Sequence, residues 1–295
     1  MTLCERCSRA HFTANVSTLM NRFTFLTDIA GRLARDVAGS PRVTAAAVAF
    51  GSGQLDAVAR QLPRPLPKWK DCRLQDAEAV VSLLGEETIA VGIFSINKDT
   101  AAWHQFWEDA RPLRAAIVAQ DRRPAGFVKP ANVLAFLLIS GACAVATGHA
   151  LRIGSKHRIL DYRGRDLIER TVICDSDIDG DENLEVFRSL WERHDGSQPR
   201  LESMGIRIAT REVRVTTEQQ EPLLLLADYA AGISHAALLP DPGRIPLPLS
   251  VDDAKKLLGA LNDRGKIAVQ TCNFEFTYKE VFGHVMDLVG EQAAC

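Results

Sequence analysis

The sequence predicts a mixed α/β fold: an antiparallel group of early strands followed by alternating helices and strands. Three observations carry that prediction. Strand-like segments fall in succession at Arg22–Thr27, which alternates and is β-rich, at Val43–Phe50 and at Thr88–Ile96, with short connections as in an antiparallel meander. Helical periodicity at residues 101–119, 131–147 and 183–194 then alternates with strand-like runs at 170–174 and 206–215, the rhythm of α/β proteins. The 295 residues, 46% hydrophobic and 24% charged, are enough for one large core or two small ones and exclude a disordered or fibrous chain.

Residues 1–20 lack periodicity and are expected to be a loose leader. Cys4, Cys7 and His11 offer zinc-type ligands, but no second pair follows at zinc-site spacing, so they read as part of that leader. The first strand, RFTFLT, runs to Asp28. The second, Val43–Phe50, is closed by Gly51-Ser52-Gly53 before a short helix near Leu55–Leu62. Three prolines within Pro63–Pro67 exclude regular structure there, and a helix over Asp76–Leu84 leads into the third strand. Arg122-Arg123-Pro124-Ala125-Gly126 breaks the helix that begins near Ala101. The long segment Ala131–Leu151 carries no formal charge, yet Asn132, Ser140, Gly141, Thr147, Gly148 and His149 interrupt it. It reads as a buried central helix, and no membrane partner is expected.

The strand Arg170–Cys174 runs directly into Asp175-Ser176-Asp177-Ile178-Asp179-Gly180-Asp181. The strand Ile206–Val215 is followed by a helix over Pro222–Leu238, whose proline suits a first turn. A helix near Val251–Leu261, a β-like stretch near Ile267–Phe276 and a helix near Tyr278–Val289 close the chain. The expected organisation is a leader (1–20), one α/β domain (21–240) and a C-terminal extension (241–295) packed on it.

Thirty-five basic against 37 acidic side chains leave a formal charge of −2, so no uniform field draws the protein to nucleic acid or a membrane. A polyanion would have to meet a local basic patch. Candidates are Arg111, Arg114, Arg122, Arg123 and Lys129, and a second group at Arg152, Lys156, Arg158, Arg163 and Arg165. Seven scattered cysteines, several in apolar sequence, point to a reduced, cytoplasmic chain and not to a disulfide framework.

The acids that stand out lie at the ends of elements or among apolar residues. Asp28 closes the first strand, Asp175 and Asp177 follow the fourth, and Asp228 sits in LLLLADYAAG. A carboxylate among leucines and alanines is costly unless a cleft or a partner compensates it. Glu221, Asp228, Gly232 and His235 share one stripe of their helix, so Asp228 faces either a cleft or water. The Asp175–Asp181 run mimics the start of a calcium-binding loop, but its twelfth position is Val186, which removes the bidentate ligand. Acidic capping of the next helix is the simpler reading of Asp179–Asp181. No GxxxxGK[ST], GxSxG or HExxH occurs, and Gly51-Ser52-Gly53 lacks the third glycine of a dinucleotide fingerprint.

Five stretches together carry a resemblance: Phe25-Leu26-Thr27-Asp28-Ile29-Ala30-Gly31, the strand Val43–Phe50, Lys68-Trp69 after the proline-rich turn, Val172-Ile173-Cys174-Asp175, and Leu225-Leu226-Ala227-Asp228-Tyr229-Ala230-Ala231-Gly232. In order and spacing they resemble the domain-of-unknown-function family 3800, whose members look like ribonuclease-H-like proteins. The likeness covers roughly residues 22–239.

The resemblance implies a ribonuclease-H-like sheet with Asp28, Asp175 and Asp228 converging at one edge as ligands of Mg²⁺ or Mn²⁺. Asp177 is a further candidate ligand, and Lys68 would stand near a scissile phosphate. Hard dications take oxygen ligands, and unscreened carboxylates repel one another, so an all-aspartate cluster suits such ions. The implied activity is that of a metal-dependent nuclease or phosphodiesterase acting on nucleic acid. Ile29 and Leu66, however, occupy positions where the family carries glutamates, and Asp71 or Asp177 would have to substitute. The alternative is a degenerate, non-catalytic member that binds nucleic acid or a protein partner. Trp69 would then either stack on a base or anchor the core.

Overall fold

The computed structural model describes residues 22–35, 37, 40–51, 53–119, 130–156, 166–175, 191, 206–240 and 246–278. Six strands form one mixed sheet: β1 (Arg22–Ala30), β2 (Arg42–Gly51), β3 (Ala90–Asn97), β4 (Asp166–Asp175), β5 (Ile206–Thr216) and β6 (Ile267–Asn273), in the order β5-β4-β1-β2-β3-β6. β1, β2 and β3 pair antiparallel, as the meander predicted. β4 pairs parallel with β1, β5 with β4, and β6 with β3. The leader (1–20) and the helices expected at 183–194 and 278–289 lie outside the described residues, save Trp191 and Tyr278.

Two cores, one on each face, explain the strand sequences. β1 alternates: Phe23 and Phe25 enter one core, Leu26 the other. β2 is central and buried on both faces, so it reads as an uninterrupted apolar run: Val43, Ala45, Ala47 and Ala49 face one core, Ala46, Val48 and Phe50 the other.

Of the six helices among the described residues, α3 (Ala101–Ala119) and α4 (Pro130–Lys156) lie with the first core. α2 (Leu74–Glu87), α5 (Leu224–Leu238) and α6 (Val251–Asp263) lie with the second, joined by the short α1 (Leu55–Gln61). Two carry polar start signals. Asp76 accepts the Arg73 N–H at 2.9 Å, and Ser250 accepts the Asp253 N–H at 3.1 Å. α4 is long and apolar enough to cross a membrane by length and composition, and 67% of that window is buried against the rest of the molecule.

The boundaries shift where tertiary pairing extends an element. β4 begins at Asp166, not Arg170, because its first residues pair with β5 from Ile206 onward. α4 continues beyond Thr147 to Lys156. The stretch near Ile267–Phe276 becomes an edge strand of the same sheet, hydrogen-bonded to β3.

Candidate functional site

Register and face bring the first two acids together. β1 and β4 run parallel, with Thr27 opposite Cys174, so Asp28 and Asp175 are the next residues on neighbouring strands. The Thr27 hydroxyl donates to the Ile173 carbonyl at 3.2 Å and ties the strands one residue earlier. On each strand the acid lies two residues after a side chain of the second core, Leu26 or Ile173, and so shares its face. That is the face on which α5 packs.

α5 supplies the third acid. Asp228 Oδ2 accepts the Trp69 backbone N–H at 2.8 Å, which holds the single 3₁₀ turn Trp69–Asp71 and places Lys68 at the same opening. Trp69 itself is buried, edge-on to Tyr229 with ring centres 5.9 Å apart, and a Cβ on Gly232 would run into its indole. Of the two readings the sequence allowed for Trp69, the core anchor is the one its surroundings match.

The result is a cleft of about 590 Å³ lined by Asp28, Lys68, Asp175 and Asp228, with Glu218 and His235. The last two were not singled out as site residues. Glu218 follows the end of β5 by two residues and forms an ion pair with Lys68 at 2.5 Å. An acid just past a strand end was its available signal. His235 stands seven residues, two helical turns, beyond Asp228 on the stripe the sequence marked. The chain leaves β1 beside His235 through Gly31, whose φ of +96° favours glycine. A Cβ there would stand 3.1 Å from the His235 ring and 2.8 Å from the Arg42 carbonyl oxygen.

Electrostatics distinguish these groups. Burial pushes the Asp228 carboxyl up to about 6, and the negative charge of Glu218 adds to the effect. The Trp69 N–H, the Lys68 ammonium and a hydrogen bond with Asp28 act in the other direction. Burial also works against the charge on Glu218. The hydrogen bond from Lys68, one from its own backbone and the positive charge of Lys68 outweigh it and leave that carboxyl below its ordinary value. Glu218, hydrogen-bonded to Lys68, raises the lysine's pKa and keeps it an ammonium. His235 is lowered to about 4 by burial first and then by the positive charges of Lys98 and Arg42, so its imidazole is neutral at pH 7.

Asp28 thus stands beside Asp228, and Asp175 beside Glu218. Among the described residues no group of three or more His, Cys, Asp or Glu side chains is arranged to hold a metal ion. The donor set is nevertheless carboxylate oxygen, the chemistry that Mg²⁺ or Mn²⁺ takes. The raise of Asp228 comes first from burial, so the fit to such an ion rests on the oxygen donors of the cleft.

The remaining predicted residues lie elsewhere. Asp177 is outside the described residues. Asp71 is exposed and does not line the cleft. Leu66, where the resemblance would place an acid, packs against the second core, whereas Ile29 lines the cleft. Arg111 and Arg152 are exposed, while the side chains of the other arginines and lysines in the two predicted basic groups are outside the described residues. Comparison of the chain with protein-family models, curated proteins and solved structures finds no match.

Proposed function

We propose that this protein is a divalent-metal-dependent phosphodiesterase acting on nucleic acid, built on a ribonuclease-H-like sheet of the kind implied by its resemblance to the domain-of-unknown-function family 3800. One observation carries the reading: Asp28, Asp175 and Asp228, each flagged by sequence, line one cleft with Lys68. The sheet is compatible with it, since three antiparallel strands are followed by two parallel strands beside β1.

In this reading Asp28, Asp175, Asp228 and Glu218 hold Mg²⁺ or Mn²⁺. The bound ion would supply charge neutralisation at the phosphodiester and a more acidic water. The chain's own groups do the rest. Asp228 must give up its proton to bind a cation, and its raised pKa sets the pH at which it does so. Lys68, half exposed and tied to Glu218, presents an ammonium to a phosphate oxygen. Trp69 and Gly232 fix that lysine's turn against α5. Free thiols at Cys72, Cys143, Cys174 and Cys272 agree with a reducing, cytoplasmic setting.

A second reading, a non-catalytic member that binds nucleic acid or a protein, is favoured by Ile29 in the cleft and by the finding that, among the described residues, no three acids, histidines or cysteines are arranged to hold a metal ion. The deciding experiment is Mn²⁺- or Mg²⁺-dependent cleavage of mixed DNA and RNA substrates by the wild type, Asp28→Asn and Asp228→Asn. Cleavage by the wild type alone supports the enzyme. Equal cleavage by all three, or by none, overturns it.

A further inference from the structure

The face of the sheet that carries the cleft continues past it. α5 packs on β1 and β2 but barely touches β4, and among the described helices none packs closely on β5. Charged side chains stand on this part of the face. Arg22 opens β1 opposite Glu169 of β4. Arg207, Glu212 and Arg214 of β5 stand opposite Leu167, Thr171 and Ile173. These β4 positions alternate in step with Asp175, so their β5 neighbours share the face of the carboxylates. A bulge between Arg170 and Thr171 leaves Arg211 as the extra residue of β5, and it turns back onto Glu169.

Four arginines therefore line a strip that contains two carboxylates, Glu169 and Glu212. Arg22 Nε lies 2.9 Å from Glu169, which Arg211 shares, and Arg214 pairs with Glu212 at 3.1 Å. Arg22 is 66% exposed, Arg211 60% and Arg214 48%. Exposed pairs of this kind are weak, and a guanidinium has five N–H donors, so each arginine keeps donors for a second acceptor. Arg22, Glu169 and Arg211 also border an open groove of about 440 Å³.

Geometry aligns the strip with the cleft. Glu169 and Asp175 are six residues apart on one strand, about 20 Å at roughly 3.3 Å per residue. At about 3.4 Å per nucleotide, that length matches some six steps of a duplex strand. Arg214 lies two residues before Thr216, which pairs with Asp175.

We propose that Arg22, Arg207, Arg211 and Arg214 form a phosphate track that holds the backbone of a nucleic acid along β4 and β5 and leads it to the Asp28–Asp175–Asp228 cleft. The track rests on the phosphodiesterase reading for the cleft's chemistry, but it makes a separate claim about binding. An excess of two positive charges on a rigid sheet contacts phosphates without reading sequence. The protein as a whole is slightly acidic, so this local excess is what would select a polyanion.

The test uses the full chain and fluorescein-labelled oligonucleotides, as single-stranded DNA, single-stranded RNA and their duplexes, with anisotropy read from about 50 to 200 mM salt. Arg22→Gln/Arg211→Gln/Arg214→Gln should weaken binding at least about tenfold and lower the log–log salt slope by about 2. The corresponding triple lysine variant should retain binding. Glu169→Gln, which removes a negative charge from the strip, should tighten it; a purely structural ion pair would not do so.

Mn²⁺-dependent hydrolysis of bis(p-nitrophenyl) phosphate, too short to reach the strip, is measured alongside and should be unchanged in the glutamine variant. If the glutamine variant binds as tightly as wild type, or if wild type binds none of the oligonucleotides, the track is overturned whatever the cleft does. If binding falls as expected but the wild type hydrolyses neither the small diester nor the oligonucleotides, the track stands and the phosphodiesterase reading falls. If the triple variant fails to fold, Arg214→Gln alone, on a 48%-exposed side chain, should lower the slope by about 0.7 to 0.9, and an unchanged slope overturns the track.

Discussion

Asp228 on α5 accepts the backbone N–H of Trp69 through Oδ2 at 2.8 Å, 159 residues away in sequence. One turn further along α5, Gly232 leaves the space that the Trp69 indole fills. The aspartate and glycine of the LADYAAG stretch thus hold the same residue, one by its backbone and the other by its ring. Asp228 therefore has a structural task that does not require its charge, which allows the two roles to be separated.

Replacing Asp228 by asparagine keeps an oxygen that can accept the Trp69 N–H and removes the charge. Its stability at pH 7 should equal or exceed that of wild type in urea titrations. Asp228→Ala leaves a buried N–H without its acceptor and should lose about 1–3 kcal/mol. Metal-dependent cleavage should disappear in both. An asparagine variant as unstable as the alanine variant would show that the charge, not the hydrogen bond, holds the turn.

Gly232→Ala sets a methyl group against the Trp69 ring inside a packed core. Overpacking of this kind costs about 1–3 kcal/mol, readable as a lower urea midpoint at unchanged slope. The double variant Gly232→Ala/Trp69→Leu should recover part of that loss relative to Trp69→Leu alone. Additive losses would mean that the indole is not what excludes the methyl.

Two buried groups give the stability opposing pH dependences. Asp228 is raised to about 6, so between about pH 4 and 6 the folded state keeps a proton that the unfolded chain has released. Its contribution, at most about 3 kcal/mol, is therefore lost as pH rises through that window. His235 is lowered to about 4, so between about pH 4 and 6.5 the unfolded chain binds the proton and stability rises with pH. The wild type should show a shallow profile, Asp228→Asn a rise, and His235→Gln a fall. Parallel profiles from denaturation at each pH would contradict both assignments.

Addition of Mn²⁺ or Mg²⁺ should raise the melting temperature of the wild type, because a ligand that prefers the native state stabilises it. It should also shift the Asp228 titration to lower pH, since the cation competes with the proton. Neither effect should appear in Asp28→Asn. Glu218→Gln should reduce the thermal shift and free Lys68 from its ion pair, and a shift equal to wild type would remove Glu218 from the ion's ligands.

Much of the fold was legible because its signals are local. Alternation marked β1, the closing Gly51-Ser52-Gly53 bounded β2, and helical periodicity marked α4 and α5, since each signal lies in neighbouring residues. The candidate site was legible in part. Asp28 and Asp175 stand at strand ends, and Asp228 interrupts an apolar helix, so each drew notice alone. Glu218 did not, because nothing in Thr216-Thr217-Glu218-Gln219 reveals that a lysine 150 positions earlier meets it.

By itself, then, the sequence determined the succession of strands and helices and a short set of suspect acids. Only the tertiary structure decided which acids meet, that Trp69 is held by α5, and that β6 extends the sheet beside β3. The reason is physical. Burial periodicity is written in neighbouring residues, whereas the meeting of Asp28 with Asp175 depends on one parallel register, Thr27 opposite Cys174, between strands more than a hundred residues apart. The meeting of Asp28 with Asp228 depends on how α5 docks on that sheet.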